Sequence, residues 1–361
     1  MYKYENIPNW PEVRKRYLAF WNRQVLDNKP IVQIQNPNPS TPNKMPWMNE
    51  LSESNYTQAD QLFQLLEWKK SRWNWHADLF DYISPVAFGP MSFMAFCGGQ
   101  PSFNSDTVWY DPFIASLDEV DDIHFNRDSR YWRIFLELLE SMLEKCTEKQ
   151  QICIPLDACP LDWIATAMGI ENFFFATIEH PEKVHSLAMR LVKEYLEAYD
   201  QFYPIITAHN DGICNWLPVW SDKSLISFQD DLAINVSPEM YKDIFIPALR
   251  RIAGHAERSI LHWHDGARQH IDWIAGMEEI DVVQWGHDPS PPPFRDALAD
   301  MRKIQAAEKK LFISCVEAND ARFFIENLDP RGLIMIINTS NDDESARMEE
   351  AVVEWTEGRA K

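Results

Sequence analysis

Arg258-Ser259-Ile260-Leu261-His262-Trp263-His264-Asp265-Gly266 is the stretch that decides the fold. Its apolar centre, Ile260-Leu261, fits a strand buried on both faces, and the stretch turns polar immediately after it at His262. Runs of the same kind follow at Ile280–Trp285, Leu311–Cys315 and Leu333–Asn338, and precede it at Ile152–Leu156 and Gly212–Leu217. Pro30–Gln35 adds another, and Leu79–Phe88 a weaker one that Pro85 interrupts, so the count is about eight.

Helical patterns separate these runs. From Glu182 to Asp200 the apolar positions Val184, Leu187, Ala188, Leu191, Val192, Tyr195, Leu196 and Tyr199 form one stripe at helical spacing, with Pro181 suited to the first turn. Ser237-Pro238-Glu239 reads as a capped helix start, and Asp342-Asp343 open a last helix through about Trp355. Strand and helix alternating without an internal linker predict an α/β protein. The expected architecture is a (β/α)8 TIM barrel, one domain over 1–361 with an N-terminal extension of about 1–29. A doubly wound sheet is the competitor, and no Gly-rich first turn supports it.

Composition narrows the function. With 55 acidic and 34 basic residues the formal charge is −21, a field that repels nucleic acid and anionic membrane. The N-terminus lacks a signal-peptide pattern and no apolar run is long enough to span a bilayer, so the expected location is the cytoplasm. Six scattered cysteines without a C-x-x-C pair fit reduced thiols. Neither a dinucleotide nor a P-loop glycine motif occurs, leaving metal, acid–base or nucleophilic chemistry.

In a barrel the chemistry sits just past the C-terminal strand ends. Asp157 and Cys159 follow one run; Trp216 and Trp220 close the next; Gln284, Trp285, His287 and Asp288 end the run at Ile280; Cys315, Glu317 and Asn338 end the last two. His262 and His264 are two residues apart, so an extended strand points both imidazoles to one face, as two ligands of a zinc ion require. Cys315, His287 or Glu317 is the expected third ligand. Asp230-Asp231, before the Ser237 helix, reads either as an acid–base pair or as carboxylates capping a turn. Among the 15 Trp residues, the strand-end set (Trp216, Trp220, Trp263, Trp285) is the expected source of a pocket wall, and the remainder read as packing.

Three stretches together resemble the uroporphyrinogen decarboxylase superfamily, which includes corrinoid-dependent methyltransferases. They are Cys159-Pro160-Leu161 through Gly169-Ile170-Glu171 to His180-Pro181-Glu182-Lys183-Val184-His185; Asp230-Asp231 through Ser237-Pro238-Glu239-Met240-Tyr241 to Pro247; and Leu261 to Gly266. The resemblance runs in order over roughly residues 20–357 and implies the barrel. It matches Asp230 and Asp231 to the family's acidic pair and so implies catalytic roles for them; strand-end position adds His287 as a catalytic candidate and Asp157, Trp216, Trp220, Gln284, Trp285 and Asn338 as expected substrate contacts. Zinc on His262 matches the family's metal histidine, with His264 from the strand geometry and Cys315 from the adjacent strand as its expected companions, and the resemblance implies a corrinoid or corrinoid protein as substrate or partner. A homodimer is the family habit. The chain lacks the family's arginine-rich N-terminal motif, and His264 stands where the zinc methyltransferases carry a first Cys. Two imidazoles leave a metal more electron-poor than thiolates do, and its bound water more acidic.

The expected function is metal-dependent methyl transfer on a small methylated compound or corrinoid. The alternatives are a decarboxylase on a non-standard substrate, a glycosidase-like hydrolase using carboxylates such as Asp157, Asp231 and Glu317, or a binding protein without catalysis.

Overall fold

The computed structural model describes residues 10–42, 52–104, 108–146, 150–287 and 293–357. Its main sheet has seven strands, in the order Trp73–Ala77, Ile31–Pro37, Leu333–Asn338, Lys310–Glu317, Val282–Gly286, Arg258–His264 and Leu225–Gln229. Every neighbouring pair is parallel except the first. A second sheet orders Tyr82–Ile83, Gln151–Ile154, Ile213–Asn215 and Trp220–Ser221. A parallel bridge between Ala158 and Phe228 joins the two, with Ala158 N–H donating to Ser227 (3.3 Å) and Gln229 N–H to Ala158 (2.9 Å). The result is an α/β fold with a mostly parallel central sheet. Among the described residues its ladders form two arcs joined at that bridge rather than one continuous ring.

The strands are apolar runs because both faces are covered. Leu225–Gln229 and Val282–Gly286 are buried at every position, as parallel strands flanked by helices must be. Six strands of the main sheet run the same way, so their C-terminal ends at Pro37, Gln229, His264, Gly286, Glu317 and Asn338 share one edge. The ladder between the last two strands breaks register between Ile313 and Val316. Such an irregularity re-aims a strand end.

Helices cover the sheet. The stripe read over 182–200 belongs to a longer helix, Pro181–His209, which continues past Pro204. Ser237 caps its helix as expected, accepting from Met240 N–H at 3.3 Å. That helix opens to π geometry at Tyr241–Phe245, and Pro247, with no N–H to offer the turn before it, stands at the return to α geometry. The helix Trp10–Trp21 docks on the second sheet: Tyr17 donates to the Pro218 carbonyl and Trp21 to the Trp220 carbonyl, both at 2.8 Å. One hydrophobic cluster extends from Trp10 to Val352. Among the described residues no helix is long and apolar enough to cross a membrane.

Candidate functional site

The parity of Arg258–His264 places the site. His262 and His264 project to one face while Trp263 between them is buried against Tyr241 and His270 on the helix side. The two Nε2 atoms stand 2.9 Å apart. Asp231 Oδ1 lies 4.0 Å from His262 Nε2 and 3.7 Å from His264 Nε2. One donor atom from each of the three residues falls within 4.8 Å of the others, a set that can hold a metal ion. Asp231 is exposed and the histidines half-buried, so the cluster opens toward solvent.

Outer groups fix His262. In register with it on the next strand, Gln284 receives the His262 Nδ1 proton on Oε1. The Gln284 Nε2 donates to Ser314 Oγ at 2.7 Å. Ser314 in turn donates to the Trp285 carbonyl at 3.4 Å. With Gln284 so oriented the proton sits on Nδ1 and Nε2 faces His264 and Asp231, the tautomer that a metal ligand needs.

The acidic pair splits into two roles. Asp230 is buried, accepting from Leu161 N–H (3.1 Å) and Tyr241 O–H (3.2 Å), and so ties the helix Pro160–Met168 to the one that carries Tyr241. Asp162 answers from that helix, accepting from Asp231 N–H (2.8 Å) and Leu232 N–H (2.9 Å) at the start of the turn Asp231–Asn235. Burial, reinforced by repulsion from Asp162, pushes Asp230 well above the usual carboxylate range, and burial with repulsion from Asp231 pushes Asp162 up to about 7. Asp230 is thus a capping carboxylate away from solvent, and Asp231 alone of the pair reaches the histidines.

A cavity of about 500 Å³ opens beside the cluster, within the usual range for small-molecule sites. Trp216 joins the two: it lines the cavity and meets His262 edge-on, ring centroids 5.3 Å apart. Gln229, in register with His262, lines it as well. Asp157 lines the floor and accepts a hydrogen bond from Ser227 Oγ. Burial drives the Asp157 carboxyl up to about 7 against the pull of the Ser227 hydrogen bond.

The other expected site residues lie elsewhere. Trp220 is buried against Trp10 and donates to the Asp211 carbonyl at 2.6 Å, away from the cavity wall. Trp285 is also buried, its indole donating to Asp265. His287 bonds Asp265 through Nδ1 at 2.5 Å and stacks on Phe294 at 4.5 Å, outside the Asp231–His262–His264 group. Asn338 accepts from Gln35 Nε2 at 3.0 Å, and Gln35 lines the cavity. Asp288 and the Cys315 side chain lie outside the described residues. The sequence reading did not single out Trp73, Trp75, Tyr82, Lys69 or Gln35 as cavity walls. Of these only Gln35 carried a signal, as the last residue of an apolar run.

No family model matches the sequence, and no curated protein matches it either. The fold does have a solved counterpart: the chain is similar to a methyltransferase from Methanosarcina mazei, with a TM-score of 0.58 at 11% identity over 95% of this chain and 98% of that one. At such identity the likeness is one of fold.

Proposed function

We propose that this chain is a methyltransferase acting on a small methylated compound or corrinoid, with its two sheet arcs forming one uroporphyrinogen decarboxylase-type (β/α)8 barrel. The observation that carries the reading is the convergence of Asp231, His262 and His264 beside an aromatic cavity at the strand ends. The fold of the Methanosarcina mazei methyltransferase supports it.

The residues fit a divalent metal such as zinc. Two imidazole nitrogens and a carboxylate oxygen are a common donor set, and Gln284 already holds His262 in the ligating tautomer. Asp231 then takes the third-ligand place expected of Cys315. When bound, the metal supplies a Lewis acid that keeps a thiol acceptor ionised near neutral pH. The protein's part is positional. Trp216 packs against His262 and keeps the methyl-bearing ligand against the cluster, and Gln229 and Asp157 offer hydrogen bonds at the floor. In the transfer the thiolate sulfur forms a bond to the methyl carbon while the carbon's bond to its donor atom breaks, the electron pair staying on the donor.

Metal content by elemental mass spectrometry, without chelators in purification, tests this. About one metal per chain is expected, lost in His262→Ala/His264→Ala. Metal-free wild type overturns it. Loss of the methyl–cobalt absorbance of methylcobalamin in the presence of a thiol reads the transfer itself.

One observation favours a second reading. A carboxyl titrating near 7 at the cavity floor, Asp157, is an acid able to protonate a carbanion left by departing carbon dioxide. Release of carbon dioxide without methyl transfer, abolished by Asp157→Asn, is the result that would prefer this lyase.

A further inference from the structure

The cavity's chemistry changes from one end to the other. Its inner end, at Trp216, Gln229 and Asp157, faces the histidine cluster. Its outer part is aromatic: Trp75 stacks on Tyr82 at 5.3 Å and 14°, and Trp73 lies beside them. Flat apolar walls of this kind select a flat apolar body.

Two lysines stand on the lining, and their situations differ. Lys70 is neutralised by Glu67 Oε1 at 2.7 Å and Asp81 Oδ1 at 2.9 Å. Lys69 makes no ion pair or hydrogen bond among the described residues, in a chain whose acidic groups outnumber its basic ones by 55 to 34. Its side chain stands exposed at the rim of the cavity, at the end of the helix Ala59–Ser71. An ammonium on the lining that is not committed to a carboxylate of the described chain can give a charge-assisted hydrogen bond to a bound anion. Asp157, the single carboxylate on the described lining, belongs to the floor.

We propose that the cavity takes a planar aromatic carboxylate, its ring against Trp73, Trp75 and Tyr82, its anionic group on Lys69, and its reactive end toward Trp216 and His262. The assignment rests on the reading of this cavity as the substrate site and adds the substrate's class. It fits either reaction considered above, since each leaves the anion-binding end untouched or acts on a different group of the molecule.

Calorimetric titration of the full chain with three isosteric probes tests it: 2-naphthoate, 2-naphthamide and 2-naphthylmethylammonium. 2-Naphthoate is expected to bind most tightly and the ammonium most weakly. Lys69→Met should weaken 2-naphthoate roughly tenfold, as loss of a charged hydrogen bond does, and leave 2-naphthamide unchanged. Lys69→Arg should restore the preference for the anion, and Trp75→Leu should weaken all three probes. The proposal is overturned if the ammonium binds best, if none of the probes binds, or if Lys69→Met keeps the gap between acid and amide. Metal content measured on the same Lys69→Met protein separates the two levels. Metal retained with anion selectivity absent defeats this assignment alone, whereas a metal-free wild type that still selects 2-naphthoate defeats the methyl-transfer reading alone.

Discussion

Asp157→Asn should make the protein more stable at high pH and change little at low pH. The Asp157 carboxyl is raised from its ordinary value of 3.8 to about 7, chiefly by burial. Each pH unit of displacement corresponds to about 1.4 kcal/mol, so roughly three units amount to about 4 kcal/mol of penalty on the ionised folded state. Asp157 keeps part of its surface open to the cavity, where water screens the charge, and about 2 kcal/mol is the working figure. The sign follows from proton counting. Below pH ~4 the group is protonated in both folded and unfolded chains and contributes no pH dependence. Between ~4 and ~7 the folded chain binds more protons, so stability falls as pH rises; above ~7 the penalty is complete. Asparagine cannot ionise, and its carbonyl still accepts the Ser227 hydrogen bond. Guanidinium unfolding of both proteins from pH 4 to 8 should therefore show a difference that grows by about 2–4 kcal/mol in favour of the variant. Asp162 and Asp230 titrate in both proteins and cancel to first order. A difference flat to within ~0.5 kcal/mol across that range would refute the account of Asp157 as a buried, mostly protonated acid.

Other changes probe the site and its supports. Gln284→Leu removes the acceptor that sets the His262 tautomer and should weaken metal binding about 10- to 100-fold in chelator competition, with the circular dichroism spectrum unchanged. Tyr241→Phe takes away the O–H given to buried Asp230 and should cost about 1–3 kcal/mol in chemical unfolding. Gly212→Ala places a Cβ 2.4 Å from the Ser221 carbonyl oxygen at a residue with φ +85°, and a loss of more than about 2 kcal/mol should appear as a lowered unfolding midpoint.

The alternation of strands and helices was legible because parallel strands covered on both faces must be continuous apolar runs, a pattern that composition alone preserves. Leu225–Gln229 escaped it. Ser227 and Gln229 break its run, and both are polar for a local reason: Ser227 bonds Asp157 and Gln229 lines the cavity. The H-x-H pair was legible from the two-residue period of a strand. Its partner Asp231 was one of two candidate acids, and choosing between them needed Asp162, which holds the Asp231 backbone from a helix 69 residues earlier in the chain. Contacts of that range leave no periodic trace. The strand-end tryptophans show a different limit. Trp285 is in register with Trp263, so the parity that points His262 and Gln284 inward turns both indoles toward the helices. Position at a strand end alone does not distinguish the two faces.

Parity also explains why the site is polar at this level of the sheet. Gln35, Gln229, His262, Gln284 and Asn338 occupy the last turns of their strands, where ladder partners bring them side by side: Gln35 opposite Asn338, Gln229 opposite His262, His262 opposite Gln284. Two of these three pairs are hydrogen-bonded laterally, and Ser314 extends the second. Burying amides and imidazoles costs free energy unless each finds a partner, and here the partners are supplied by the neighbouring strand. The sideways bonds fix ring and amide orientations before any ligand arrives. They turn the Nε2 edge of His262 toward His264 and Asp231, the cluster that an incoming ion would meet. A strand-end layer that served only packing would be stabilised by apolar residues at these positions. The retention of a laterally bonded polar layer beside an aromatic cavity is therefore an argument for a preorganised site, independent of which ion or substrate occupies it.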